Sequence, residues 1–141
     1  FGGVYMTIFI YEISLDTSKR TEIIDITLDI QEILTKSKLN FGIINIFSKH
    51  STSSIVINEN EEGLLYDFES ILNKIIPNNN SYNHDIIDNN ADSHIKSLFL
   101  GSSETIPFSN NDLSVGTWQS VFFVEFDGPR TRKVELTVIG E

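Results

Sequence analysis

Cysteine is absent from the 141-residue sequence. Disulfide bonds and thiolate metal sites are therefore excluded, and any metal would have to be held by histidine, carboxylate, amide or water ligands. No apolar segment reaches the ~18 residues needed to cross a bilayer, so we expect no membrane span. Basic residues are also scarce, since 10 Lys and Arg stand against 20 Asp and Glu, a formal net charge of −10. This excess of negative charge argues against a nucleic acid or an anionic membrane as the main partner.

The remaining composition is that of a globular protein. Hydrophobic residues make up 40% of the chain and charged residues 21%. A chain of this length can bury roughly two-thirds of its unfolded surface, so we expect a single domain over residues 1–141. Residues 1–3 are interpreted as a tag remnant or as the edge of a longer chain. No signal peptide is recognised, and a cytoplasmic location is the expectation.

Hydrophobic periodicity predicts helices and strands that are intermixed without a regular βαβ rhythm. Strands are predicted at residues 4–13, 22–26, 43–47, 55–57, 105–108, 118–126 and 132–139. Helices are predicted at residues 27–37, from residue 60 to Pro77, and from residue 92 to Gly101. The sequence therefore predicts an α+β fold, in which a mixed or mostly antiparallel sheet is packed by helices on one side.

The segment from His50 to Asn60 organises this pattern. Hydroxyl-bearing residues lead into the apolar triplet at 55–57, and Asn58 and Glu59 follow it. The triplet is typical of a strand covered on both faces, which leaves the polar groups at its two ends. A rigid strand can hold a histidine before it and a carboxylate after it as reactive groups. The alternative is a strand with a solvated start and a helix cap at its end.

The chain contains 3 histidines. His50 follows a predicted strand, His84 lies in a long polar loop, and His94 lies in the first turn of a short helix. Side chains at such positions can converge on one cleft, and three imidazoles with a water form a common zinc shell. Glu59 is a candidate fourth ligand or general base. The competing interpretation is scattered surface histidines, with Glu59 as an acid at a helix N-terminus.

Arg130, Arg132 and Lys133 form a cationic cluster on an acidic protein. Arginine suits phosphate or carboxylate recognition, and the Asp-Gly-Pro turn before Arg130 would fix its direction. For Lys133 we prefer a solvated strand face. Trp118 and Gln119 could line a pocket, although a lone tryptophan at a strand start is more often part of the core. No Gly-x-Ser-x-Gly motif supports a serine nucleophile.

Taken together, these residues resemble the YjbQ-like family, an uncharacterised protein family sometimes described as having secondary thiamine-phosphate synthase activity. The matching segments, in order along nearly the whole chain, are His50-Ser-Thr-Ser-Ser54, Ile57-Asn-Glu-Asn60, Tyr82-Asn-His84, Asp88-Asn-Asn-Ala91, His94-Ile-Lys-Ser97, Leu100-Gly-Ser-Ser103, Gly116-Thr-Trp-Gln119, Glu125-Phe-Asp-Gly-Pro-Arg130 and Val138-Ile-Gly-Glu141. Ser51-Thr52 replaces the usual Thr-Ser pair. Asn111 stands where a turn glycine is usual, and asparagine tolerates positive φ.

The resemblance implies an α+β subunit that forms a homotrimer, with a pocket at or near the subunit boundary. The associated activity joins a pyrimidine pyrophosphate to a thiazole phosphate and releases pyrophosphate. The roles it suggests are catalysis by His50, Glu59 and Arg130, substrate contact by Ser51, Asn58, Tyr82, Trp118 and Gln119, and binding of a divalent metal, zinc or magnesium, by His50, His84 and His94. The substrate would be a small, phosphorylated molecule. The alternative is a non-catalytic trimeric module that binds a metabolite or an anion.

Self-association is also predicted from the residues. The first predicted strand is apolar on both faces and should be well covered, and Phe122, Phe123 and Phe126 add apolar surface late in the chain. A chain of this size is not expected to cover all of this surface alone.

Overall fold

The structure is a computed structural model and describes residues 5–141. These residues fold into two antiparallel sheets and three α-helices. Residues 1–4, including the start of the first predicted strand, lie outside the described residues. The strands are β1 (Thr7–Asp16), β2 (Glu22–Asp25), β3 (Gly42–Ser48), β4 (Ser53–Glu59), β5 (Ser103–Ser109), β6 (Asp112–Leu113), β7 (Gln119–Glu125) and β8 (Thr131–Gly140). The helices are α1 (Thr27–Ser37), α2 (Glu62–Ile75) and α3 (Ala91–Leu100), with a 3₁₀ helix at Asn83–Ile86.

The predicted α+β fold class is confirmed, but the strands divide between two sheets rather than forming one. Sheet A has the strand order β1-β8-β3-β5-β6, and sheet B has the order β2-β7-β4. Every described strand pair is antiparallel. The strands divide into two sheets because β7 is apolar on both faces, so each of its faces must be covered by another layer of secondary structure.

The core lies on both faces of sheet B. One face packs with α1 against sheet A, where Ile30, Ile44, Ile55, Phe123 and Leu136 are fully buried. The other face packs against α2 and α3. There Phe122, Val124 and Phe126 are buried, with Leu65, Leu72 and Leu100 packed against them. Phe122, Phe123 and Phe126 thus lie inside one subunit, and the expectation that they add surface for association is wrong.

The first strand is less covered than the sequence predicts. β1 is an edge strand of sheet A, and its outward-facing residues Ile8 and Ile10 are 62% and 66% exposed. Ile43 and Phe47 of β3 belong to the same outer face and are 43% and 38% exposed. The prediction of a well-covered strand is corrected because the helices pack on the other side of the molecule and leave this face open in the described chain.

Three connections meet at one end of the two sheets. The N–H of Thr17, after β1, donates to the carbonyl of Arg130, and the N–H of Phe126 donates to the carbonyl of Thr52. The Ser93 hydroxyl on α3 donates to the carbonyl of Phe126 at 2.7 Å. The β1–β2, β3–β4 and β7–β8 connections and the start of α3 therefore lie together. In the described part of the chain, no helix is long and apolar enough to cross a membrane.

Candidate functional site

A buried ion pair underlies this end of the molecule. Arg132 donates from Nε to Glu125 Oε1 at 2.8 Å and from Nη2 to Glu125 Oε2 at 2.5 Å. The same guanidinium donates to the Thr52 hydroxyl at 2.8 Å. The Glu125 side chain is fully buried, and it also accepts from the backbone N–H groups of Phe126 and Asp127. Because both charges are paired and hydrogen-bonded, they can be buried and can fix the β3–β4 connection against β8.

The direction of Arg130 is set by its backbone. Its N–H donates to the Thr17 hydroxyl oxygen at 2.9 Å, and the Thr17 hydroxyl donates to Glu125 Oε1 at 2.8 Å. Gly128 allows the turn to approach the β1–β2 connection, since a Cβ at this position would lie 2.2 Å from the carbonyl oxygen of Lys19. The Arg130 side chain reaches solvent, while its Nε donates to the carbonyl oxygen of Asp127 at 2.8 Å.

His50 lies at the start of the β3–β4 connection. Its Nε2 accepts a hydrogen bond of 2.9 Å from the backbone N–H of Lys133 on β8. Burial lowers the pKa of His50, and the nearby positive charge of Arg132 lowers it further. An imidazole that accepts at Nε2 and has a lowered pKa is neutral at pH 7, with its proton on Nδ1.

The side chain of Asn90 connects Asp127 to His84. Its Nδ2 donates to Asp127 Oδ2 at 2.9 Å, which leaves its Oδ1 facing His84 Nε2 at 3.0 Å. Since the amide oxygen can only accept, His84 Nε2 must carry a proton. Arg130 Nη2 donates to the same Asp127 oxygen at 3.0 Å. A hydrogen-bonded chain therefore runs from Arg130 through Asp127 and Asn90 to His84.

The helix that bears His94 is held by a second buried charge group. Asp92 accepts from Arg20 Nη2 at 2.9 Å and from Lys96 Nζ at 3.1 Å, and Lys96 is only 2% exposed. Burial alone would raise the pKa of Asp92, but the hydrogen bonds and charges of Arg20 and Lys96 outweigh burial and lower it. The first turn of α3 is thereby fixed against the β1–β2 connection.

The β3–β4 connection, the β7–β8 connection and α3 line an open, polar cleft of about 300 Å³. The side chains that line it include His50, Ser51, Asn90, His94, Arg130 and Arg132. A second hollow of about 420 Å³ adjoins it, shares three of these residues and extends along α3 to Leu98 and Gly101. His84 and His94 meet edge to face, with their ring centroids 4.8 Å apart. Two of the three histidines thus line the cleft, and the third contacts one of them.

Other predicted site residues lie elsewhere. Asn58 and Glu59 stand at the far end of β4, which is seven residues long and so spans roughly 20 Å. Glu59 pairs across the sheet with Gln119, and the neighbouring Trp118 is 73% exposed. The hydroxyl of Tyr82 donates to the carbonyl of Pro77 at 2.8 Å. The structure therefore brings together His50, Ser51, His94 and Arg130 and separates them from the residues at the other end of sheet B.

The imidazoles do not form a ready metal centre in this arrangement. Among residues 5–141, no three side chains of His, Asp or Glu lie close enough together to hold a metal ion. Nε2 of His50 is occupied as an acceptor and Nε2 of His84 as a donor. A metal held by all three histidines would require His50 to give up its hydrogen bond, because a neutral ring that accepts at Nε2 carries its proton on Nδ1.

Sequence reasoning missed part of the site. Glu125, Asp127 and Asn90 were not selected as site residues and entered only within matching segments. Glu125 interrupts the apolar run Phe122-Phe123-Val124. A carboxylate inside a fully apolar strand indicates a buried ionic partner, since an unpaired charge is too costly to bury. That signal could have identified Glu125. Asn90 carried no such signal, because loop asparagines are common in this chain.

The fold and the cleft define a small α+β protein with a histidine- and arginine-lined polar site. A profile of the UPF0047 protein YjbQ-like family matches residues 11–141, and the chain belongs to this family. A UPF0047 protein of Methanothermobacter thermautotrophicus is 50% identical over 139 residues, covering 99% of this chain and 97% of that protein.

Solved structures agree with this assignment. A YbjQ-like protein of unknown function from Sulfolobus solfataricus superimposes with a TM-score of 0.95 at 37% identity, covering 97% of this chain and 100% of that one. A YjbQ/UPF0047 family protein from Clostridium acetobutylicum gives a TM-score of 0.87 at 37% identity, covering 91% of this chain and 98% of that one. The predicted family is thus confirmed.

Proposed function

We propose that this protein is an enzyme that acts on a small phosphorylated molecule in the cleft between the β3–β4 connection, the β7–β8 connection and α3. The observation that carries the proposal is that His50, His94 and Arg130 line the same cleft. Imidazoles that share a site with an arginine suit proton transfer next to a bound anion.

Arg130 is the proposed anion ligand. Its Nε and Nη2 groups donate to Asp127, and Nη1 makes no hydrogen bond within residues 5–141. The N–H groups of Nη1 can therefore donate to phosphate oxygens while Asp127 keeps the guanidinium in place. On a chain with a net charge of −10, such a local cation is needed to attract a phosphorylated ligand.

His94 and His50 are the proposed proton-transfer groups. His94 lies in the first turn of α3, and its ring contacts the ring of His84. His50 is neutral and carries its proton on Nδ1, since Nε2 accepts from Lys133. The neutral ring can donate a hydrogen bond from Nδ1 to a leaving oxygen, and it can take up and then transfer a proton only after its hydrogen bond to Lys133 is broken.

The particular reaction that we propose is thiamine-phosphate synthesis or a close relative of it, in which a pyrimidine pyrophosphate and a thiazole phosphate are joined and pyrophosphate leaves. Support comes from the resemblance of the sequence and from the position of Arg130 beside the imidazoles. Arg130 would bind the departing pyrophosphate, with Ser51 as a further hydrogen-bonding group at the exposed rim.

We propose separately that a divalent ion binds at this site. Zinc or magnesium would assist by neutralising phosphate charge, with His50, His84 and His94 as the predicted ligands. The hydrogen bond that His50 Nε2 accepts from Lys133 would have to break before all three histidines could bind one ion. Elemental analysis of purified protein, before and after dialysis against a chelator, tests it. Less than one tenth of an equivalent of metal, with unchanged activity after chelation, would reject it.

The proposed function is tested with pyrophosphate binding and with turnover. We expect Arg130→Gln to weaken pyrophosphate binding at least tenfold in calorimetric titration. His94→Gln should abolish release of pyrophosphate from the pyrimidine pyrophosphate and thiazole phosphate pair but leave binding intact. Lys36→Gln is the control, because Lys36 is an exposed cation on α1 that pairs with Glu32 of the same helix. Equal loss in the control, or no binding by the wild-type protein, would contradict the proposal.

A non-catalytic binding module is the second candidate, and one observation favours it. The bond from Lys133 N–H to His50 Nε2 is the kind of contact that a purely structural histidine makes. In that case the cleft would retain a metabolite or anion without changing it. Pyrophosphate binding that depends on Arg130, together with no turnover of any phosphorylated substrate, would favour this candidate over the enzyme.

We also propose that the protein assembles as a homotrimer. The support is the exposed apolar outer face of sheet A, on which Ile8, Ile10, Ile43 and Phe47 lie side by side. Monomeric proteins rarely leave such a surface uncovered. The proposed partner is a second copy of the same chain, and sedimentation measures how many copies associate.

A further inference from the structure

An apolar cavity lies between α2 and sheet B, separate from the polar cleft and from the hollow that adjoins the cleft. Its volume is about 250 Å³, and aliphatic and aromatic side chains form most of its walls. They include Ile23, Val56, Leu65, Phe68, Leu100 and Phe122. The walls come from α2, from all three strands of sheet B and from the end of α3, so the space lies between layers of the fold.

The cavity exists because α2 packs loosely on sheet B. The helix is amphipathic, yet none of its residues is fully buried, and Leu64 at its start remains 38% exposed. Sheet B directly beneath is tightly packed, with Phe122 only 1% exposed and Val124 fully buried. Apolar protein interiors normally close such gaps, because an unfilled cavity forfeits contact energy. An apolar space that the fold leaves open can therefore hold an apolar ligand.

The polar group at the edge of the cavity is Asn58. On β4 it shares a face with Val56, which is one of the wall residues. Its Oδ1 accepts from the N–H of Glu59 at 2.8 Å, and its Nδ2 makes no hydrogen bond within residues 5–141. The amide can thus donate to one acceptor atom of a ligand.

The charge around the opening restricts the ligand further. Glu59 also lines the cavity, and among the described residues its carboxylate has no hydrogen bond or ion pair. Glu61, two residues on, directs its carboxylate to the start of α2. Carboxylates at the opening, on a chain with a net charge of −10, disfavour an anion. This sign of charge is opposite to what a phosphorylated ligand requires.

We infer that the cavity between α2 and sheet B binds a small uncharged apolar molecule that carries one hydrogen-bond acceptor, which Asn58 recognises. The size follows from comparison with an apolar protein cavity of about 150 Å³, which holds one benzene molecule. The space here takes one ring with a short substituent, on the order of ten non-hydrogen atoms. Such a ligand is distinct from the anion proposed for the cleft, which lies at the other end of β4.

The test uses benzyl alcohol, toluene and benzoate as probes with the full chain, followed by methyl NMR of Val56, Leu65 and Leu100. Benzyl alcohol should bind saturably, and at least tenfold more tightly than benzoate. Leu65→Phe fills the cavity and should weaken its binding at least tenfold, whereas Ile71→Phe, at an exposed position of the same helix, should not. Leu64→Trp, at the partly exposed rim, serves the same purpose if Leu65→Phe does not fold.

Asn58→Ala distinguishes the hydrogen bond from simple filling. It should reduce the preference for benzyl alcohol over toluene at least threefold, and Arg130→Gln should change neither affinity. Absence of saturable binding would overturn the inference, as would binding that survives both Leu65→Phe and Leu64→Trp. Methyl shifts that follow protein concentration but not the probe would also overturn it, because they would assign the cavity to a second copy of the chain. Pyrophosphate binding in the cleft is independent of all these outcomes.

Discussion

The backbone N–H of Lys133 donates a hydrogen bond of 2.9 Å to Nε2 of His50. This bond ties the β3–β4 connection to β8 and uses the lone pair that a metal or a proton would need. It also selects one form of the ring, since the neutral imidazole must then carry its proton on Nδ1. Protonation of His50 is opposed by burial and by Arg132, which together lower its pKa.

His50 should make stability depend on pH. Its folded pKa lies below the ordinary value of about 6.5, so the unfolded chain binds the proton more readily. Its stabilising contribution is therefore complete above that value and is lost as pH falls through the lower, folded pKa. Urea unfolding between about pH 5 and pH 8 should show a decline on the acid side that is smaller in His50→Gln. Identical pH profiles for the two proteins would contradict this assignment.

The ion pair between Glu125 and Arg132 should dominate local stability. Glu125→Gln leaves the Arg132 guanidinium, which is 5% exposed, without a countercharge. Breaking a buried pair from one side costs about 3–5 kcal/mol. Glu32→Gln, in the exposed pair with Lys36 on α1, should cost less than about 1 kcal/mol. Chemical unfolding measures both, and similar losses in the two variants would show that burial of the pair has no special effect.

Asn90 should control the protonation pattern of His84. In Asn90→Leu, the amide that donates to Asp127 and accepts from His84 is removed. We expect a loss of about 1–3 kcal/mol in the free energy of unfolding. ¹⁵N NMR should also show that the proton no longer favours Nε2 of His84. Asn80→Leu, in the exposed loop before the 3₁₀ helix, should leave the His84 signals unchanged, and unchanged signals in Asn90→Leu would refute the role.

Asp92 should make the stability of the fold sensitive to acid. Its lowered pKa means that its contribution is complete above the ordinary carboxyl value of about 3.9 and is lost as pH falls through the folded pKa. Asp92→Asn removes the countercharge of the buried Lys96 and should cost about 3 kcal/mol at neutral pH. Thermal unfolding at pH 7 and pH 3 checks this, because the difference between variant and wild type should shrink at the lower pH. A constant difference would count against it.

The outer face of sheet A should mediate self-association. Ile10→Lys places a charge within the exposed apolar surface, opposite Thr137 on β8. Sedimentation should give a trimer for the wild-type protein at micromolar concentration and a smaller species for the variant. Ile71→Lys is the matched control, since Ile71 on α2 is also an exposed isoleucine, at 52%. A wild-type monomer, or an Ile10→Lys trimer, would exclude this face as the interface.

Local sequence patterns determined most of the secondary structure. Residues 27–37 were predicted as a helix, and α1 occupies Thr27–Ser37. The alternation of residues 132–139 predicted β8, whose Val134, Leu136 and Val138 are all fully buried. These elements were predictable because their apolar residues recur at the period of the structure that buries them. The ordered motifs likewise determined the family, since their combination spans nearly the whole chain.

Which polar residues share a site was decided by the tertiary structure. The sequence placed His50 and Glu59 within one short segment, yet β4 separates them by its full length because a strand is extended. Conversely, Thr17, Thr52 and Arg130 are far apart in the chain and meet around Glu125. Strand periodicity says which face a side chain occupies, but the ends that meet depend on the order of strands in the two sheets.

The sequence by itself therefore determined the fold class, the family and the types of residue available for chemistry. Only the tertiary structure decided that two histidines and Arg130 line one cleft, that the phenylalanines of β7 are buried, and that the surface of β1 is left open. The physical reason is that periodicity and local propensity act within about ten residues, whereas burial and hydrogen-bond partners depend on which distant segments the packed layers bring together.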